Sequence, residues 1–77
     1  MPTRPRPPQH LAKALGKRIR DLRGQYDWSQ ERLAEESGLH RTFIAGIEVG
    51  LRNPSLASLA RIAKALRVEI SDLFSRS

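Results

Sequence analysis

The sequence predicts an all-α fold, five short helices in one small domain, and three observations carry that prediction. Apolar residues recur at steps of three and four through most of the chain, the period of one helical face. Ser and Gly punctuate those stretches at the spacing of helix caps. Nowhere does the strict alternation of a half-buried strand appear. Seventy-seven residues make one domain at most, and a chain of this size buries only about 60% of its unfolded surface, so the core has to be simple.

The first nine residues hold four prolines and two arginines with almost nothing apolar, too little to offset the entropy of ordering them. Residues 1–9 are therefore expected to be a disordered basic arm, and 10–77 the folded domain. Helix one is expected from Leu11, with Leu11, Leu15, Ile19, Leu22 and Tyr26 on one face, ending near Gly24. Ser29 caps helix two, Trp28 and Leu33 bracket it as a hydrophobic staple, and it runs from about Gln30 to Ser37 before Gly38. Leu39 and Ile44 have the same staple spacing around His40, which starts helix three and carries it to about Val49. After the turn-forming "LRNP", Ser55 caps helix four, whose stripe is Leu56, Leu59, Ile62, Ala63 and Leu66. A short fifth helix, "ISDLF", closes the domain with Ile70, Leu73 and Phe74.

Composition narrows the function. With no cysteine and two isolated histidines, neither a metal cluster nor a cofactor is expected. No paired carboxylates suggest a catalytic cleft, His10 falls in the tail and His40 has no nucleophile beside it, so an enzyme is not expected. No apolar run approaches the roughly 18 residues of a membrane span, and "MPTRPRPPQH" lacks the apolar middle of a secretory signal; a cytoplasmic location is the expectation. Of the formal charge of +6, all lies in residues 1–24, where seven Lys and Arg face only Asp21. Such an excess points to a polyanion, nucleic acid being the commonest.

Two short helices joined by a turn of about three residues containing Gly form a helix-turn-helix, whose second helix enters the DNA major groove. Counting from Gln30, the motif places Leu33 and Ala34 fourth and fifth, Gly38 ninth, Leu39 tenth, Ile44 fifteenth and Ile47 eighteenth. These are small or apolar where helices cross and Gly where the turn needs positive φ. At 100° per residue Ile44 and Ile47 point inward with Phe43 on the edge, while Arg41, Thr42, Ala45, Gly46 and Val49 share the outer side. Arg41 suits guanine O6 and N7, and Thr42 a base edge or thymine methyl. Ala45, Gly46 and Val49 are small, a shape that lets the helix approach DNA closely. Phe43 is read either as a packed edge residue or as a methyl-reading contact.

The stretch "SQERLAEESGLHRTFIAGIEVGLRNPSLASLARIAKAL" resembles the Cro/repressor class of helix-turn-helix regulators, the xenobiotic-response-element family. Within it, "HRTFIAGIE" and "RNPS" are particularly similar to the controller proteins of restriction-modification systems. The resemblance implies a compact five-helix, lambda-repressor-like domain that binds double-stranded operator DNA as a homodimer and sets transcription of nearby genes. It implies base contacts at His40, Arg41, Thr42 and Gly46, although Gly46 departs from the longer polar residue often found there, and His40 is equally a helix-capping residue. It implies backbone contacts from Gln30 and from Arg52, Asn53 and Ser55, the last two also serving turn and cap, and an ion pair between Arg23 and Glu48.

A single domain spans few base pairs, so two copies on a pseudo-palindrome with half-sites about 34 Å apart are expected. Helix five, with Ile70, Leu73 and Phe74, is either the dimer seam or a cap on the monomer's own core. Activation would need a patch for RNA polymerase; Glu35 and Glu36 are candidates and equally a solvated helix face. No ligand-binding domain is evident, so no small-molecule ligand is expected. The alternative to a DNA-binding regulator is an antitoxin or protein-interaction module whose main partner is a protein.

Overall fold

The computed structural model describes residues 9–74. The chain forms α1 (Gln9–Gln25), α2 (Gln30–Ser37), α3 (Arg41–Glu48) and α4 (Leu56–Leu66), and then a 3-10 turn, Ile70–Phe74. The structure is all-α, with no strand among the described residues, and the place expected for a fifth α-helix holds that tighter 3-10 turn. The arm expected over residues 1–9 lies outside the described residues apart from Gln9, which opens α1.

α1 buries Leu15, Ile19 and Leu22 and leaves Leu11 and Tyr26, at the two ends of the expected face, largely exposed. It stops at Gln25, next to the Gly24 near which its end is expected. Gly24 continues the helix, and the left-handed residue that turns the chain is Asp27, φ 57°, a conformation Asp tolerates better than most side chains. Tyr26 instead stacks on Trp28, with ring centroids 4.8 Å apart, and donates its hydroxyl to the Leu66 carbonyl at 2.7 Å.

Ser29 caps α2, its Oγ accepting from the Arg32 amide at 3.0 Å, and Gly38 follows the helix at φ 73°. His40 opens the next helix as its N-cap, as the staple spacing places it, and its carbonyl accepts the first helical bond from the Ile44 amide at 3.0 Å. It is the extended residue before α3, and its side chain makes no capping bond. Ser55 caps α4 by accepting from the Ser58 amide at 3.1 Å. Leu56, expected on the buried stripe, is 72% exposed, because the first turn of α4 projects beyond the core that Leu59, Ile62, Ala63 and Leu66 reach.

These residues and Leu33, Ala34, Ile44, Ile47 and Leu73 form one core with the buried side of α1. α3 packs between α1 and α2, α2 also meets α4, and the closing turn rests on α1 and α4. Leu73 is wholly buried, a burial of about 1.5–3 kcal/mol. It therefore belongs to the monomer's core, the second of the two roles expected of this segment.

One close approach fixes the position of α3. A Cβ on Gly16 of α1 would run into the backbone carbonyl oxygens of Ile47 and Glu48, so only Gly allows α1 and the end of α3 to lie this near. No periodicity in the sequence marks that requirement.

Candidate nucleic-acid interface

Ile44 and Ile47 are fully or almost fully buried, which turns the opposite side of α3 outward. His40, Arg41 and Thr42 are exposed at its N-terminal tip, whereas Phe43 is half-buried and packs against the core. That packing places Phe43 at the edge of the inward face. Arg41 lies 4.0 Å from the Glu31 carboxylate of α2, both side chains remaining largely in solvent. At that separation and exposure the pair contributes little to stability. Arg41, Glu31, Glu35, His40 and Leu39 line a shallow open depression over the turn between α2 and α3.

Gly46 is half-buried, and the chain itself covers it. A Cβ there would meet the Cγ of Arg52. The Leu51 and Arg52 amides both donate to the Gly46 carbonyl, at 2.8 and 3.2 Å, folding the loop after α3 back over its last turn. In this arrangement the Arg52 stem lies against the bare Cα of Gly46. The side of Gly46 expected to let DNA approach closely is occupied here by the stem of Arg52. The Arg52 side chain is exposed, as is Asn53 beside it. Ser55, also expected at the backbone, already donates its hydroxyl to Ser58 Oγ at 3.0 Å besides capping α4.

Behind this outer face sits a buried charged cluster. Arg23 Nε donates to Glu48 Oε2 and its Nη2 to Oε1, both at 2.8 Å, while Nη1 donates to the Trp28 carbonyl at 2.7 Å. The Glu48 side chain is 2% exposed and that of Arg23 15%. Hydrogen bonding to Glu48 raises the pKa of Arg23 above the ordinary guanidinium value, burial opposes the rise, and the charge of Glu48 supports it. Gln30 Nε2 also donates to Glu48 Oε1, at 3.1 Å. One carboxylate thus ties α1, the start of α2 and the end of α3. The bond from Gln30 was not readable from sequence, because its partner lies on another helix and local period does not give how α2 and α3 pack.

Elsewhere on the surface, Arg32 and Glu36 pair at 2.9 Å, while Glu35 is exposed. Of the three residues expected at the dimer seam, Phe74 is 53% exposed, Ile70 is half-buried and Leu73 is in the core. Among the described residues no group of three His, Cys, Asp or Glu is placed to hold a metal, and no helix is long and apolar enough to cross a membrane.

A family model described as helix-turn-helix matches residues 19–73. The control protein C.BamHI of Bacillus amyloliquefaciens is 48% identical over 60 residues, which cover 77% of this chain and 74% of that protein. The control protein C.SmaI of Serratia marcescens is 41% identical over 66 residues, covering 86% and 79%. The crystal structure of the restriction-modification controller protein C.AhdI from Aeromonas hydrophila superposes with a TM-score of 0.80 at 43% identity, covering 82% of this chain and 96% of that one.

Proposed function

The chain belongs to the helix-turn-helix family, a DNA-binding transcription regulator and not an enzyme, and from that premise we propose that it binds a pseudo-palindromic operator as a homodimer and controls a restriction-modification system, its own gene included. The observation that carries this reading is the outward tip of α3. Arg41 and Thr42 are exposed on the side opposite Ile44 and Ile47, on a helix whose far end the Arg23–Glu48–Gln30 cluster fixes. In the major groove Arg41 takes guanine O6 and N7, Thr42 a base edge or methyl group, and His40 the flanking position, each well-placed contact supplying about 1–3 kcal/mol of discrimination.

Register on the duplex comes from the phosphates. Gln30 uses one amide N–H on Glu48 and keeps the second for a phosphate oxygen. Arg52 and Asn53 supply the contact on the far side of α3. The dimer seam rests on Phe74, with Ile70 at its edge.

A gel shift on the DNA upstream of the chain's own gene, with random-sequence competitor, tests the reading. A specific complex that weakens as salt rises, and that shows two symmetric half-sites in a footprint, is the expected result. Specific binding nowhere in that DNA would overturn it and favour a protein partner.

A further inference from the structure

The cationic excess of the first 24 residues is used unevenly in the fold. Arg18 turns inward and donates to the Asp72 carbonyl at 2.8 Å, Arg23 is taken up by Glu48 and the Trp28 carbonyl, and Lys17 pairs with Asp21 at 3.0 Å. Lys13 and Arg20 are exposed and have no hydrogen-bond or ion-pair partner among the described residues. Seven residues apart on one helix, they lie within about 20° of each other and about 10 Å apart along the axis.

The position of this edge gives it meaning. At one end the Lys13 stem lies against Gly50, where a Cβ would come within 3.0 Å of Lys13 Cγ, two residues before Arg52. At the other end, one turn beyond Arg20, Arg23 holds the Trp28 carbonyl, two residues before Gln30. Between them Gly16 presses α1 onto the end of α3. α1 therefore bridges the two places from which the proposed phosphate contacts come, and carries two free cations along its solvent side.

We propose that the Lys13–Arg20 edge of α1 is a phosphate track, following the DNA backbone between the Arg52–Asn53 contact and the Gln30 contact. This inference rests on the operator-binding reading above. It adds sequence-independent affinity and no base selection, because both cations meet phosphates, which every duplex presents alike.

Fluorescence anisotropy on two labelled duplexes of equal length, one from the chain's own upstream region and one of random sequence, tests it across a salt series. The variant carrying Lys13→Ala and Arg20→Ala is expected to lose affinity for both duplexes by the same factor. Its slope of log affinity against log salt should be shallower by about 0.9 per contact for each bound subunit. Lys17→Ala, which removes a cation already neutralised by Asp21, should change the slope less. An unchanged slope in the double variant, with its specific complex and melting temperature intact, overturns the track and leaves the operator reading standing. Failure of the unaltered protein to prefer its upstream duplex overturns the operator reading, and the slope on the random duplex still decides the track.

Discussion

Gly16 and Gly46 each occupy a helical position where a Cβ has no room, yet what stands in the way differs. Against Gly16 it is the carbonyl backbone of Ile47 and Glu48; against Gly46 it is the aliphatic stem of Arg52, an exposed and flexible side chain. Backbone cannot yield without moving α1 off α3, whereas Arg52 has other rotamers at small cost. The inner end of α3 is thus fixed by main chain and a buried carboxylate, and its outer face is closed only by a movable side chain. Similar local crowding serves the fold at one site and the arrangement of an exposed face at the other.

The largest effect that would break this contrast lies at the inner end. Glu48→Ala strands Arg23 and frees Gln30, and a loss of about 3–5 kcal/mol is expected from breaking a buried pair, measured by urea unfolding. A loss below 1 kcal/mol would mean that the cluster does not fix α3. Gly16→Ala comes next. Overpacking costs about 1–3 kcal/mol, here at the upper end because the obstruction is backbone, and a melting temperature lower by roughly 4–8 °C for each kcal/mol is expected.

Arg41→Ala moves to the outer face, where stability should not change. Titration of operator variants should show about 1–3 kcal/mol less discrimination at one guanine position with an unaltered melting temperature. Gly46→Ala is expected to move stability far less than Gly16→Ala. Ala gains about 1 kcal/mol of helix propensity while displacing Arg52, so the melting temperature should stay within a few degrees while DNA affinity falls. A drop as large as that of Gly16→Ala would erase the distinction between the two sites.

The same contrast explains what was legible in the sequence. Ser29, Gly38 and Ser55 act on amides or turns within a few residues, so local chemistry announces them. The buried sides of α1, α3 and α4 follow from helical period. Leu56 escaped that logic because period gives direction and not depth, and its turn of helix extends past the neighbouring elements. Gly16, Leu73 and the Gln30 bond to Glu48 depend on which distant segment arrives opposite them. The exposed tip of α3 was legible as a surface, since Ile44 and Ile47 dictate which side of α3 faces out. The covering of Gly46 was not, because it follows from the path of the loop after the helix.

The buried cluster and core leave the tip of α3 free of structural duties. His40 makes no cap bond, Thr42 is exposed, and Arg41 has only its 4.0 Å approach to Glu31. Three adjacent positions can therefore be exchanged with little threat to the stability threshold that ordinarily rejects mutations. A library randomised at 40, 41 and 42 should consist mostly of folded proteins, and selection on it would search operator preference almost alone. On the proposed operator reading, the scaffold is a holder with a replaceable key, and a new recognition sequence would require no new fold.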